Sequence, residues 1–180
     1  MNKLRLFFAV DLPGNLKDKL LAFSSSFREV PNIRWTKKEN LHLTILFLGY
    51  LNEELLPTIL KVAGDVFKTC QKFVLSFENI VPGPIGNYPR MIWANLEPNP
   101  ILQKLKIDLE NALLKAGVNF KKENRSMRLH ITLARFSPQK IAEEKIDFSE
   151  KLEVNEILLM QSFLSPRGPE YLCLNRFPLY

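Results

Sequence analysis

Cysteine and histidine are both scarce in this chain, which contains two of each among its 180 residues. Cys70 and Cys173 lie far apart, so they fit neither a metal-binding pair nor a redox motif. Two cysteines also cannot build the disulfide framework that is typical of small secreted domains. The sequence therefore predicts a protein of a reducing compartment, which we take to be the cytoplasm.

The chain also lacks a long apolar run. Its first apolar stretch, within residues 3–10, meets Asp11 and Pro13 and is far shorter than the roughly 20 residues that a membrane helix needs. No small-residue cleavage site of a secretory signal follows this stretch. These absences predict a protein without a membrane partner and make residues 3–10 a buried strand.

No segment of low complexity divides the chain, so we expect one domain over residues 1–180. Strand-like and amphipathic helical stretches are intermixed, and several predicted strands are joined by short turns. This mixture favours an α+β fold with mostly antiparallel sheet. The predicted strands cover residues 3–10, 33–36, 41–48, 73–80, 90–96, 128–136, 152–163 and 170–177, and the predicted helices cover residues 16–29, 53–68 and 100–116.

Local signals set several of these boundaries. For the third helix, Asn99 is a good cap, Pro100 suits the first helical position and Gly117 suits the exit. Asn52 is the candidate cap of the second helix. Proline and glycine make residues 81–89 the clearest predicted loop.

Two further boundaries concern single residues. Gly49 is expected to end the strand over residues 41–48. Pro57 would lie later in the second helix than the first turn, where proline is best tolerated.

Both histidines stand in the same short motif. His42 lies in Leu-His-Leu-Thr-Ile and His130 in Leu-His-Ile-Thr-Leu, so threonine follows each histidine two residues later. The chain has five threonines, and chance would place one after both histidines in roughly one sequence in a thousand of this composition. A single histidine in a strand is more often structural than catalytic, whereas the matched pair indicates a functional site.

Strand geometry gives this motif its meaning. Side chains at positions i and i+2 point to the same face of a strand, about 7 Å apart. His42 and Thr44 therefore share one face, as do His130 and Thr132, while the leucine and isoleucine residues between them face a core. If the two strands are neighbours, two imidazoles and two hydroxyls line one cleft.

Such a set of side chains suits cleavage of a phosphodiester without a metal. Histidine titrates near neutral pH, so one ring can accept a proton while the other donates one. An in-line displacement at phosphorus needs a base at the attacking water and an acid at the leaving oxygen, and threonine hydroxyls can bond the nonbridging oxygens. A zinc site is the alternative, but no carboxylate or cysteine stands at ligand spacing beside either histidine.

Basic residues provide candidates for contact with an anionic partner. The net charge of +6 suits nucleic acid, although a solvated enzyme surface would carry as much. Arg128 lies two residues before His130 and should share its face, so it is a candidate for a phosphate contact. Arg135 lies an odd number of residues after His130, and it would face away unless a bulge or strand end brought it to the cleft rim. Arg5 and Arg34 are weaker candidates.

Four aromatic residues are candidates for stacking on a base. We expect Trp93 and Phe47 to pack in the core instead, as aromatic residues in strands commonly do. Tyr88, in the segment rich in proline and glycine, is the strongest candidate for an exposed stacking residue, and Trp35 is the fourth.

At these residues the chain resembles the two-histidine phosphoesterase superfamily, which is defined by two His-x-Thr-x motifs. More narrowly, it is similar to the LigT-like RNA 2′,3′-cyclic phosphodiesterases of bacteria and archaea, also called 2′-5′ RNA ligases. The likeness covers nearly the whole chain. Besides both motifs, it includes Arg5–Pro13, Arg34-Trp35, Phe47–Gly49, Pro89–Ala94, Gly168–Tyr171 and Arg176–Leu179.

This resemblance implies two pseudo-symmetric lobes with the motifs in a central cleft and helices on the outside. It implies hydrolysis of RNA ends that carry a 2′,3′-cyclic phosphate to 2′-phosphomonoesters. We further expect a monomer without cofactor, metal or obligate protein partner. By the same analogy, His42 is the proton donor to the departing 3′ oxygen and His130 the proton acceptor from water, whereas the residues alone leave the roles open. The expected substrate-binding residues are Thr44, Thr132, Arg135 and Arg128.

Two other interpretations of the same residues stay open. The first is ligation of RNA through a 2′-5′ linkage, which is the reverse reaction at the same site. The second is a module that binds a nucleotide or RNA without turnover, although binding alone does not need a matched acid and base.

Overall fold

Ten strands and three α-helices occupy the described part of the chain, which comprises residues 2–84, 86–122, 127–141, 145–166 and 168–180 of a computed structural model. The helices are α1 (Gly14–Ala22), α2 (Leu56–Phe67) and α3 (Pro100–Lys115). The strands are β1 (Lys3–Asp11), β2 (Arg34–Trp35), β3 (His42–Asn52), β4 (Phe73–Gly83), β5 (Met91–Leu96), β6 (His130–Arg135), β7 (Ile146–Asp147), β8 (Lys151–Val154), β9 (Glu156–Ser165) and β10 (Gly168–Pro178).

The strands form an antiparallel sheet. Its main order is β10-β9-β1-β3-β6-β5-β4-β7, with β2 paired to β6 and β8 paired to β4 beside this path. This arrangement confirms the predicted α+β fold with antiparallel sheet. The division into two pseudo-symmetric lobes and the extent of a single domain stay predictions.

The third helix begins and ends where its sequence signals place it. The Asn99 side-chain oxygen accepts a hydrogen bond from the backbone N–H of Leu102 at 3.0 Å, and Pro100 opens the helix. Gly117 follows the end with a φ of +82°, a left-handed conformation that glycine adopts without strain. Among the described residues, no helix is both long enough and apolar enough to cross a membrane.

The second helix and the strand before it differ from prediction. α2 begins at Leu56, after a short 3-10 turn, so Asn52 is not its cap and Pro57 lies in its first turn, where proline is tolerated. Gly49 does not end β3, which continues to Asn52. The pairing with β1 has a β-bulge here, and the φ of +75° at Gly49 lets the strand absorb it and continue.

Two other strand boundaries were predicted wrongly. Residues 81–83, part of the predicted loop, belong to β4 because they pair with residues 91–93 of β5. Ile85 of that loop lies outside the described residues. The predicted strand over residues 152–163 is two strands, because β8 pairs with β4 whereas β9 pairs with β1 and β10.

Burial of one sheet face fixes the orientation of the motif strands. Leu43 and Ile131 are fully buried, in one cluster with Ile59 of α2 and Leu109 of α3. α2 packs against α3 and β10, and α3 packs against β3. Full burial of one such side chain is worth about 1.5–3 kcal/mol, so Leu43 and Ile131 fix which face of each strand points to the core. The opposite faces, which carry His42 on β3 and His130 on β6, therefore point away from the core.

Candidate active site

The two motifs meet where β3 and β6 pair. Leu43 and Ile131 are opposite each other in this antiparallel pair, which sets His42 opposite Thr132 and Thr44 opposite His130. The histidines are therefore diagonal neighbours, a relation that separates Cα atoms by about 7–8 Å in a sheet. All four motif side chains line one cavity of about 420 Å³. The volume of this cavity falls within the roughly 300–1,000 Å³ of typical ligand pockets.

Both imidazoles are held in the same way by the backbone. His42 Nδ1 lies 2.7 Å from the carbonyl oxygen of Asn40, and His130 Nδ1 lies 3.1 Å from the carbonyl oxygen of Arg128. A carbonyl only accepts hydrogen bonds, so each Nδ1 carries a proton and donates it. Nε2 of each ring is therefore the atom that can gain or lose a proton. His42 Nε2 lies 3.1 Å from Thr44 Oγ1, which can donate its hydroxyl proton to the neutral ring.

Aromatic rings hold the imidazoles in place. The His42 ring lies between Phe7 and Tyr171, each with its centroid 5.0 Å away, and Tyr171 meets it edge-on at 84°. The His130 ring stacks against Trp93 at 4.4 Å between centroids. Trp93 is held in turn by Gly83, because a Cβ atom at that position would lie 2.3 Å from the indole. The two histidines thus have similar backbone anchors but different aromatic neighbours.

Burial lowers the pKa of His42 below its ordinary value near 6.5. The hydrogen bond to the Asn40 carbonyl and the charge of Asp11 oppose this effect, but burial is the stronger influence. The Lys17 and Arg135 charges lower the pKa further, and the Lys17 ammonium lies 2.6 Å from the Asp11 carboxylate. The His42 ring is therefore mostly neutral at pH 7 in the free protein.

A β-bulge follows each motif at the third residue after the histidine. The pairing of β3 with β1 skips Ile45, and the pairing of β6 with β5 skips Leu133. An extra residue reverses the alternation of side chains, so residues five positions after each histidine return to the histidine face. These residues are Phe47 and Arg135, and both line the cavity. The bulge explains the position of Arg135, whose contact with a substrate stays a prediction.

The cavity is positively charged. Its lining contains Arg5, Arg34, Lys37 and Arg135, with no carboxylate among the described lining residues. The Arg5 guanidinium lies 4.6 Å from the centroid of the Phe47 ring and donates a hydrogen bond to Ser162 Oγ at 2.7 Å. This distribution of charge favours a phosphate ligand.

The described residues contain no group of three histidine, cysteine, aspartate or glutamate side chains arranged to hold a metal ion. The expected independence of metals and cofactors stays a prediction. The acid–base chemistry available to the cavity comes from the two imidazoles, and its capacity to neutralise charge comes from the arginines and lysine.

The remaining predicted residues lie in different places. Trp93 is buried, with 6% exposure, as predicted, whereas the prediction that Phe47 packs in the core is wrong, because it is 41% exposed and lines the cavity. Trp35 also lines the cavity. Tyr88 is exposed, at 59%, but does not belong to this lining. Arg128 lines a second cavity, with its guanidinium 5.8 Å from the Trp93 ring centroid.

Two aromatic residues beside His42 were not identified from the sequence. Phe7 and Tyr171 lie at opposite ends of the chain, on β1 and β10, and reach the same imidazole only through the sheet order. In the sequence, Phe7 and Tyr171 are indicated only by their place in Arg5–Pro13 and Gly168–Tyr171, two stretches that carry the family resemblance. Hydrophobic pattern alone gives no reason to separate these two rings from those of the core.

Sequence similarity to known proteins covers nearly the whole chain. RNA 2′,3′-cyclic phosphodiesterase of Archaeoglobus fulgidus is 30% identical over 97% of this chain and 99% of its own length. The protein of the same name from Methanocaldococcus jannaschii is 33% identical over 93% and 96%. These relatives place the resemblance in the protein as a whole rather than in the motifs alone.

Solved structures are similar to this chain over nearly its whole length as well. TT0787 of Thermus thermophilus aligns with a TM-score of 0.87 and 28% identity over 97% of both chains. Escherichia coli LigT, solved in complex with 3′-AMP, aligns with a TM-score of 0.82 and 25% identity over 99% of both chains. The family model of LigT-like phosphoesterases matches residues 10–93, which include the first motif. This chain belongs to the LigT-like phosphoesterase family.

Proposed function

We propose that this protein hydrolyses the 2′,3′-cyclic phosphate at an RNA end to a 2′-phosphomonoester. The observation that carries this proposal is the diagonal placement of His42 and His130 in one cationic cavity, with both Nδ1 atoms tied to backbone carbonyls. The curated relatives are named for this activity, and E. coli LigT has been solved with a 3′-nucleotide and with phosphate. Two imidazoles, each held by the backbone at Nδ1 and able to exchange a proton at Nε2, are what a one-step displacement at phosphorus requires.

The proposed reaction uses the Nε2 atoms of both rings. His130 Nε2 takes a proton from a water molecule, whose oxygen forms a bond to phosphorus. The bond between phosphorus and the 3′ oxygen breaks, and His42 Nε2 gives its proton to that oxygen. The product carries a 3′ hydroxyl and a 2′ phosphate, and the two rings exchange protons with solvent before the next turnover. The assignment of donor and acceptor rests on the family resemblance.

Threonines and arginines provide the remaining support in this proposal. The hydroxyls of Thr44 and Thr132 donate to nonbridging oxygens, which gain charge as water attacks. Arg135 lines the same cavity, and in this proposal its guanidinium neutralises the same oxygens. Because burial favours the neutral ring of His42, we propose that this ring acquires its proton when the phosphate anion binds beside it.

The test is hydrolysis of an oligonucleotide that ends in a 2′,3′-cyclic phosphate, measured with EDTA present. We expect His42→Ala and His130→Ala each to lower kcat/KM by about 10²–10⁴, the usual contribution of a general acid or base. Thr44→Val should lower it by less, and Thr58→Val, on α2 outside the cavity, serves as the matched control. Full activity of either histidine variant would overturn the proposal, and tight binding without product would favour a module that does not turn over.

We propose further that the enzyme acts as a cytoplasmic monomer without metal or cofactor. Both cysteines are free thiols, which suits a reducing compartment. Light scattering on the active enzyme gives its oligomeric state, and unchanged activity after dialysis against EDTA tests the absence of a metal requirement.

A further inference from the structure

A second cavity, of about 760 Å³, is lined by residues of β4 and β5 and by residues 127–129, which precede β6. We name it the upstream cavity. None of its described lining residues belongs to β6, whereas the active-site cavity is lined by residues of β1, β2, β3, β6 and β10. Its size falls within the roughly 300–1,000 Å³ of typical ligand pockets.

Strand register places residues of the two cavities side by side. Asn95 of β5 is the cross-strand partner of His130, and Asn79 of β4 is the cross-strand partner of Asn95. Directly opposed residues share a face, with Cβ atoms about 4.5–5.5 Å apart. His130 lines the active-site cavity, and both asparagines line the upstream cavity. The boundary between the cavities therefore falls between His130 and its neighbour on β5.

Arg128 and Trp93 make a second connection between the cavities. The carbonyl oxygen of Arg128 anchors His130 Nδ1, while its side chain lines the upstream cavity. Trp93 lies within ring-stacking distance of His130, and the Arg128 guanidinium also lies near the Trp93 ring. A chain molecule with its end at His130 would thus meet the upstream cavity next.

The upstream cavity combines three kinds of surface. Asn95 Nδ2 donates to Asn79 Oδ1 at 3.0 Å, and Asn95 Oδ1 is buried without a hydrogen-bond partner among the described residues. Such an unmet acceptor costs about 1–3 kcal/mol, so this amide pair is not explained by stability of the fold. The apolar part of the lining includes Val81, Pro82, Leu96, Pro98, Met127 and Ile141.

Charged side chains form the third kind of surface in the upstream cavity. Arg128, Lys140 and Lys145 line the upstream cavity, against one carboxylate, that of Glu78, which lies 3.9 Å from the Lys145 ammonium. An apolar wall with amides and an excess of cations matches a nucleotide, which presents a flat base, a polar base edge and a phosphate. Neither a purely apolar ligand nor an acidic peptide would contact all three kinds of surface.

We propose that the upstream cavity binds the nucleotide that precedes the cyclic-phosphate nucleotide in an RNA strand. This inference rests on the proposed function. The base of this nucleotide lies against the apolar wall, Asn79 and Asn95 contact its edge, and the cations neutralise its phosphate. The cavity thereby makes the enzyme prefer a polynucleotide end over a free cyclic mononucleotide.

The test compares two substrates, adenosine 2′,3′-cyclic phosphate and a tetranucleotide that ends in a 2′,3′-cyclic phosphate. We expect wild type to have the higher kcat/KM on the tetranucleotide. Lys140→Ala combined with Lys145→Ala should lower that value by roughly tenfold, as expected for loss of two exposed charge contacts, and change the mononucleotide value less than twofold. The dependence of the tetranucleotide value on salt should become shallower.

The matched control combines Lys61→Ala with Lys104→Ala, which removes two exposed lysines from α2 and α3 outside both linings. Charge reversal, Lys140→Glu with Lys145→Glu, should enlarge the effect, and thermal melting checks that each variant is folded. Equal losses on both substrates, an equal loss in the control, or no preference of wild type for the tetranucleotide would overturn the inference. Absence of hydrolysis of either substrate would instead overturn the proposed function.

Discussion

The contact between Tyr171 and His42 predicts how loss of the tyrosine ring changes the free energy of unfolding and the pKa of His42. Tyr171 lies edge-on to His42 at 5.0 Å and to Phe7 at 5.3 Å. Tyr171→Ala removes both aromatic pairs, each worth about 0.5–1.5 kcal/mol beyond its buried area, so we expect a loss of about 1–3 kcal/mol in the free energy of unfolding. Tyr171→Phe keeps both rings and should lose much less.

The same substitution should change the protonation of His42. Burial is the main cause of its lowered pKa, and removal of the tyrosine ring admits water, so the pKa of His42 should rise toward 6.5. Since the chain has two histidines, a proton NMR titration shows two ring signals, and His130→Ala assigns them. We expect the His42 pKa to rise in Tyr171→Ala and to stay near the wild-type value in Tyr171→Phe. An unchanged pKa in Tyr171→Ala, or equal shifts in both variants, would show that this ring does not desolvate His42.

Three other predictions follow from the site. Gly83→Ala should lower kcat/KM, because the new Cβ must displace the Trp93 indole that stacks on His130. Gly14→Ala is the control and should leave kcat/KM unchanged, because no atom lies within 4 Å of its new Cβ. Steady-state hydrolysis compares the two variants. Arg135→Gln should lower kcat/KM roughly 10- to 100-fold through loss of a charge-assisted hydrogen bond to phosphate, with Arg176→Gln as the surface control in the same assay. The free energy of unfolding, measured in urea, should fall as pH drops from 6.5 to 5.5, and should fall less in His42→Ala.

The sign of this pH dependence follows from the direction of the shift. In the folded protein the pKa of His42 lies below 6.5, whereas in the unfolded chain it lies near that value. Well above pH 6.5 the ring is neutral in both states. Below it, the unfolded chain binds the proton more readily, so acid favours unfolding. A stability that rises from pH 6.5 to 5.5 would contradict the burial of His42.

The motif faces and one helix were predictable because they depend on neighbouring residues alone. Two-residue periodicity places a histidine and its threonine on one side of a strand, and Leu43 and Ile131 on the other, without knowledge of what pairs with them. Asn99 and Pro100 specify a helix start through a local hydrogen bond and a fixed φ. Each of these predictions needs a stretch of three or four residues.

The wrong predictions share a different origin. Gly49 was expected to end a strand because glycine commonly does so, and Phe47 was expected to be buried because aromatic residues in strands commonly pack in the core. Bulges depend on the register between two strands that are distant in sequence, and a single chain gives little indication of them. The short strand β7 was missed because its two residues are a strand only through pairing with β4. Long-range pairing therefore marks the limit of what this sequence predicts.

The two motifs are alike in backbone and unlike in their surroundings, and this difference bears on their roles. Each histidine donates Nδ1–H to the carbonyl two residues before it, and each motif is followed by a bulge. Yet His42 lies between two rings with Asp11 and Lys17 near it, whereas His130 stacks on Trp93 beside the upstream cavity. Since the two motifs carry the same functional groups, the acid and the base of the proposed reaction can differ only through such neighbours. In that proposal, the residues that divide the two roles therefore lie outside the motifs.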